Sequence, residues 1–476
     1  MSREKSFGID FGTTTSSAVW YQTAGSSRRY QEYGEDAMPI PSVVAIDRET
    51  GAVQTGREAR AHREELVSSS ECISSIKTVL NDREWSREIA GTTWRPVNVA
   101  SRVFGALKVS TDGNLDQATL AIPVGLGSTA RRTLREAAKT VGIEIEGFVS
   151  ESTAAFFASY DELQSAENVA VFDWGGGTLD VSIIRHFRSR IEEIATNNLD
   201  KAGDYIDETL ARRVHSEFAR EKSVDIPFDD MPAKDRDALV YRCEAAKIAL
   251  SSEDNAMVRI FGYGPMGRVR KDINYAWFEG IVAPVVDEAL ECFDEAIREA
   301  GLSPYGLDRV ILVGGSSYLR PLRDRMAERF GDRLFFPENP EWSISRGAAL
   351  LSRYPGSYVA AQDVSIILSD GTPYYLLRRG EEVGGKRKSA EFGITDTSEM
   401  VRVVFSGSRD IDNDTSRFQI REVPGYGFLE ERFRLEYWVD ADLVFRVRMS
   451  SNMRPESDVW EYGKLKLSYD LNGGGR

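Results

Sequence analysis

Two stretches of this chain, far apart in sequence, share one grammar, and any fold it adopts must accommodate both. Val169 to Ile184, VAVFDWGGGTLDVSII, sets apolar runs on either side of Asp173 and three consecutive glycines, the pattern of a β-hairpin whose turn carries no side chains. Phe7 to Trp20, FGIDFGTTTSSAVW, repeats it with Asp10 and a Gly-Thr-Thr-Thr turn. A bare turn brings its N–H groups close to an anion. A carboxylate at the strand end, with the hydroxyl of Thr178 after the glycines, then supplies the hard oxygen ligands that magnesium and its waters need. One Gly-rich hairpin alone could be purely structural; two facing each other would grip a polyphosphate from both sides. Neither is a Walker loop, because no Gly-Lys-Ser or Gly-Lys-Thr follows at the required spacing. A third stretch, VILVGGSSYL from Val310 to Leu319, reads as a buried strand opening through Gly314-Gly315 into a helix, Pro321 to Phe330, which is a place for a nucleoside.

Composition narrows the field. At 476 residues the chain exceeds what one core usually fills, so at least two domains are expected. Charged residues make up 28% and hydrophobic ones 41%, which argues against disorder, and the net charge of -15 disfavours nucleic acid and anionic membranes as partners. No run approaches the ~18 apolar residues of a membrane span. Cys72, Cys243 and Cys292 have no metal-like spacing, and SREKSFGID enters a strand with no secretory apolar region, so a reducing cytoplasm is the expected compartment.

Between the hairpins, PIPSVVAI reads as a strand and Arg57 to Leu66 as a helix. In CISSIKTVL the apolar Ile73, Ile76 and Leu80 fall near helical spacing, which puts Lys77 on or beside an apolar face; a lone lysine on a helix is most often just solvated. ATLAIPVG is a strand stopped by Pro123, and TARRTLREAAKTVG is a helix ended by Gly142. FVSESTAAFFAS places Glu151 at a strand end, with Ser152 or Thr153 available to cap a helix beginning at Ala154. Three long helical stretches follow the central hairpin, the second carrying Glu244, Lys247 and Ser251. Strands alternating with helices argue for an α/β architecture, and the paired hairpins for two related halves. From about Gly356 the pattern becomes alternating, with turn signals at Asp370-Gly371, Gly384-Gly385 and Pro424-Gly425, which predicts a separate all-β domain. The tail LNGGGR is expected to fray.

Together these motifs resemble the DnaK-type heat-shock chaperones, the seventy-kilodalton heat-shock family within the actin and sugar-kinase superfamily of ATPases. IDFGTTTS and FDWGGGTLDVSI match the family's two phosphate motifs, ILVGGSS its adenosine motif, SESTAAF its connecting motif, SIKTVL its catalytic-lysine segment, and Pro123 with Arg131 its interdomain switch. The resemblance implies a two-lobed actin-like ATPase domain of duplicated halves over residues 1–355, a linker over 356–371 containing IILSDGTP, and a β-sandwich over 372–476 that binds peptide or a protein partner. It implies ATP or ADP with magnesium, and potassium as an optional further ion. Asp10 and Asp173 would hold the magnesium through water. Gly12, Thr13, Thr14, Thr15, Gly175, Gly176 and Gly177 would cradle the phosphates. Lys77 would stabilise the departing phosphoryl group, while Glu151, Asp173 and Thr178 orient the attacking water, which is sufficient equipment for phosphoryl transfer. Gly203, Glu244, Lys247, Ser251, Gly314, Gly315, Ser316 and Tyr318 would surround the nucleoside.

The chain also departs from the pattern. No helical lid or acidic recognition tail follows the β region. Gly147 stands where relatives carry the arginine that meets a J-domain partner, which argues against dependence on one, and an exchange factor has no distinct sequence signal. Ile248 and Tyr318 replace two arginines that sandwich adenine, and Ser152 replaces a proline. Intact Asp10, Lys77, Glu151, Asp173 and Thr178 favour an ATP-hydrolysing chaperone or switch. The alternative is a nucleotide-sensing adaptor that holds ATP and binds a dedicated partner with little turnover; a small-molecule kinase fits less well, having no counterpart to the β domain.

Overall fold

The computed structural model describes residues 6–24, 27–35, 38–64, 69–352, 357–384, 386–395, 399–406, 418–426, 429–455, 458–462 and 465–472. Gly356, Gly385 and the end of the LNGGGR tail lie outside the described residues. The chain divides into two compact units, the first made of Met1–Ile184 with Ile194–Arg353, the second of Arg185–Glu193 with Tyr354–Arg476.

The first unit is built twice from one plan. In the first half, Ser6–Phe11, Thr15–Ala24 and Ser27–Tyr33 run antiparallel, and Gln117–Ile122 then Glu144–Ser150 add in parallel beside Ser6–Phe11. In the second, Asn168–Trp174 neighbours Leu179–Phe187, which neighbours Arg190–Leu199, while Arg309–Val313 and Leu334–Phe335 add in parallel on the other side. Both sheets carry the period-2 or continuous apolar runs that such strands require. Behind the second, Phe172, Trp174, Leu179, Leu210, Val214, Phe278, Val282, Phe293 and Leu312 form one buried cluster. In each half the last parallel strand leads into a helix, Glu151–Ala158 in one and Pro340–Leu351 in the other. These two helices meet so closely that a Cβ on Gly347 would lie 1.8 Å from the Ala154 carbonyl oxygen. The expected α/β, two-lobed duplicated architecture is therefore present.

Several local expectations need correction. Cys72–Leu80 is not one helix: Ser70–Ile73 is a strand paired with Val44–Asp47, and only Ile76–Val79 turns, as a 3-10 helix. Sheet pairing overrides the local spacing there. PIPSVVAI divides into Ile40–Pro41 and Val44–Asp47. The helix expected from Ala154 begins at Glu151, and its cap is Ser150, whose hydroxyl accepts from the Thr153 N–H at 3.2 Å. Ser152 and Thr153 lie inside the first turn.

The second unit is all β beyond residue 356. One sheet runs in the order Pro373–Leu377, Val364–Ile367, Met400–Ser406, Phe418–Pro424, the other Lys388–Gly393, Arg432–Val439, Phe445–Ser451, Val459–Tyr462. Val364, Ile366, Val403 and Phe405 of one and Leu435, Tyr437, Phe445 and Val447 of the other share a single core. The expected linker covers residues 356–371. Ser357–Ala360 and Val364–Ile367 are strands, and Val364 and Ile366 are 0% and 6% exposed, so IILSDGTP is a strand and hairpin turn of the β unit. The unit also takes in the far turn that joins Leu179–Phe187 to Arg190–Leu199: Arg190, Ile191 and Glu192 pair with Asp470, Tyr469 and Ser468 of strand Leu467–Asp470.

Candidate functional site

The carboxylates stand at the C-terminal ends of parallel strands, where open α/β sheets receive ligands. Asp10 lies opposite Ala121, Asp173 opposite Val313, and Glu151 directly follows Ser150 at the end of its strand. Lys77, supplied by the 3-10 turn, places Nζ 2.6 Å from Glu151 Oε1, and the two side chains are only 12% and 8% exposed. Thr178 donates its hydroxyl to Asp180 Oδ2 at 2.7 Å. Asp180 is a site residue that the sequence reading omits; its signal was the aspartate two places after Thr178 in GGTLD.

Burial raises the pKa of all four carboxyls. Asp10 is pushed up by desolvation against the opposing field of Lys77. Asp173 is pushed well up by desolvation and then by Glu151, Asp180 and Asp10. Glu151 rises to about 7 for the same first reason, with Lys77 opposing, and Asp180 rises despite the Thr178 hydrogen bond. Desolvation would neutralise Lys77, but Glu151 and Asp10 outweigh it and hold the ammonium charged. Four carboxyls facing one cation form a site that lacks positive charge.

The two hairpin turns approach each other beside this cluster. A Cβ on Gly176 would fall 1.7 Å from Thr14 Oγ1, and one on Gly177 would fall 2.7 Å from Thr13 Cγ2. Gly12 is as constrained, since a Cβ there would meet the Thr15 carbonyl oxygen at 2.2 Å. Gly175 O accepts from the Gly203 N–H at 3.1 Å and from Ser316 Oγ at 2.7 Å, while Gly176 O accepts from the Asp204 N–H at 2.7 Å. Gly314, at φ 80°, is pressed against the Trp174 carbonyl. Thr14 Oγ1 is buried without a hydrogen-bond partner, an orphan that a phosphate oxygen would satisfy. A polyphosphate with a hydrated cation suits this cradle: it offers acceptors to the turns and positive charge to the carboxylates. Among the described residues no group of three or more His, Cys, Asp or Glu side chains converges to hold a metal directly.

A cavity of about 460 Å³ opens from the cradle, lined by Thr13, Thr14, Ser75, Asp204, Asp207 and Glu244 among others. Lys247, almost buried, gives Nζ to Asp207 Oδ2 at 2.7 Å and to Gly203 O at 3.1 Å. Burial pushes the Asp207 carboxyl up to about 7, with Lys247 opposing. Glu244 receives Arg60 at 2.7 Å. The remaining nucleoside candidates are not drawn to this cavity. Ser251 ends its helix with its hydroxyl on Lys247 O, and Ile248 is 58% exposed. Tyr318 is half-buried, edge-on to Phe336 with its hydroxyl on Glu341 Oε2 at 3.1 Å.

A duplicated two-lobed fold with paired glycine turns and a lysine–carboxylate cluster defines a nucleotide-binding protein of the actin-like class. The Hsp70 protein family model matches residues 77–396, two thirds of the chain, and the chain belongs to that family, whose members are chaperone-type ATP-binding proteins. The chaperone proteins DnaK of two Halobacterium salinarum strains, R1 and NRC-1, are each 27% identical to it over 477 aligned positions, covering 94% of this chain and 73% of each relative. No helix among the described residues is long and apolar enough to cross a membrane.

Proposed function

We propose that the protein is an ATP-hydrolysing chaperone or chaperone-like switch, its first unit turning over ATP and its β unit binding a polypeptide or a dedicated protein partner. The observation that carries this reading is the buried Lys77–Glu151 pair, 2.6 Å apart, beside Asp10, Asp173 and the facing turns. Thr13, Thr14 and the backbone of Gly175 to Gly177 would hold the phosphates, and Asp10 and Asp173 would hold magnesium through water. Magnesium, when bound, neutralises charge on the β- and γ-phosphates. Lys77 stabilises the charge that develops as the terminal phosphoryl group leaves. Glu151, whose raised pKa makes it a competent proton acceptor near neutrality, and Thr178, fixed by Asp180, orient the attacking water. Potassium is an optional further ion beside magnesium. The cytoplasm is the proposed compartment, consistent with cysteines that are in no disulfide.

A single-turnover ATPase assay with and without candidate peptides tests the reading. Hydrolysis that peptide accelerates is the expected result. Tight ATP binding with no turnover would instead make the protein a nucleotide-sensing adaptor. Addition of a J-domain protein or an exchange factor to the same assay asks whether either is needed; with Gly147 at the edge strand, no J-domain stimulation is expected.

A further inference from the structure

The turn that carries Lys77 is held at its first residue from two sides. Ser75 lies in the left-handed region, φ 55° and ψ 31°, which a residue with a Cβ adopts only at a cost. Its carbonyl accepts from the Thr78 N–H at 3.1 Å and from the Thr78 hydroxyl at 2.9 Å. Its own hydroxyl donates to Asp204 Oδ2 at 3.0 Å. Asp204 belongs to the other half of the unit, where it opens the long helix Gly203–Lys222 and gives its backbone N–H to Gly176 O at 2.7 Å. One residue thus ties the turn before the lysine to the glycine turn that faces Thr14, and Ser75 and Asp204 both line the cavity beside the cradle. A strained backbone of this kind persists where its surroundings over-determine it, and such residues cluster at functional sites.

We propose that Ser75 and Asp204 form a latch across the two halves of the ATPase unit that positions Lys77, so that the lysine reaches the terminal phosphate only when the halves are closed. Ser75 is a positioning residue: it acts through Lys77 and touches no reacting atom. The latch rests on the reading of the site as one for ATP hydrolysis.

In the full chain, Ser75→Ala should lower the single-turnover hydrolysis rate by about three- to tenfold, the scale of one net hydrogen bond at an exposed carboxylate, with ATP affinity changed by less than about twofold. Ser75→Asn should retain most of the rate, because asparagine tolerates the left-handed region and its amide can donate to the carboxylate. In a Lys77→Ala background, Ser75→Ala should produce no further slowing. The same factor lost in that background, or a wild-type rate for Ser75→Ala, overturns the latch. Amide exchange across residues 76–80 reads the positioning without turnover: Ser75→Ala and Asp204→Ala should each accelerate it several-fold in nucleotide-free protein. If the wild type hydrolyses no ATP, the ATPase reading fails by itself. Unchanged exchange in both variants then removes the latch, and accelerated exchange retains it as a device that orders the lysine turn.

Discussion

The charge of Lys77 opposes the upward shift of Asp10, Glu151, Asp173 and Asp180 alike, so its removal has two separable consequences. Loss of one preorganised electrostatic group should lower hydrolysis by roughly 10² or more while ATP still binds. It also leaves Glu151 buried without its partner, which lowers stability by roughly 3–5 kcal/mol if the carboxyl stays ionised and by less if it takes up a proton. Lys77→Ala should therefore be both slow and less stable, whereas Lys77→Ala with Glu151→Gln should recover stability in urea melts and remain slow. Wild-type turnover in the single variant would remove Lys77 from the mechanism. Gly314 sets a different residue-scale limit. At φ 80° and ψ 152° a Cβ would stand 2.5 Å from the Trp174 carbonyl oxygen and 2.6 Å from Asp173 Oδ1. Backbone strain and overpacking add there, so Gly314→Ala should cost about 3 kcal/mol or more. Equilibrium unfolding measures it, and a loss below about 1 kcal/mol would contradict the close approach.

At the scale of elements, the unit is centred on two helices, Glu151–Ala158 and Pro340–Leu351, that touch through Gly347 and Ala154. Gly8 packs as closely, its Cβ direction pointing at Ser345 O and the Ala349 N–H. Gly347→Ala must push the helices apart, and the expected loss is about 1–3 kcal/mol, read from urea unfolding. Stabilisation by the better helix propensity of alanine would show that the crossing yields. How legible each element is depends on where its determinants lie. The hairpins, the helix Ser128–Thr140 and the strand Arg309–Val313 are written in local pattern: apolar period, glycine runs and stop signals. The Lys77 turn is not, because Ser70–Ile73 is drawn into pairing with Val44–Asp47 from outside its own stretch. Nor is the position of Tyr318, which depends on Glu341 and Phe336, residues that no local window joins to it. The cradle was legible as Asp10, Asp173 and the two turns; the ties that fix it, Ser75 to Asp204 and Arg60 to Glu244, join residues far apart in the chain.

At the scale of the molecule, the order of the chain and the order of its compact units differ. The sequence pattern separates an α/β region from an all-β region near residue 356, yet residues 185–193, the turn between Leu179–Phe187 and Arg190–Leu199 with its flanks, group with the β unit. A short segment such as Arg190–Ile191–Glu192 carries no signal of its partner, because a strand edge is completed by whichever chain reaches it. Here Leu467–Asp470 reaches it on one side and pairs with Ser357–Ala360 on the other, so three distant pieces make one sheet. Ile191, 1% exposed and opposite Tyr469, is the buried side chain of this paired segment; Tyr469 in turn meets the Tyr358 ring edge-on at 5.2 Å. Truncating a buried isoleucine costs about 2–5 kcal/mol, and the loss should be felt where the segment is bound. Ile191→Ala is therefore expected to accelerate amide exchange in Ser357–Ala360 and Leu467–Asp470 at least tenfold, a factor that needs only 1.4 kcal/mol of local opening. Exchange in Asn168–Trp174, the neighbour of Leu179–Phe187, should change far less, because that strand is held by Arg309–Val313 and the buried cluster behind it. Equal acceleration in all three strands would mean that the turn is not a separate contact but part of one cooperative sheet.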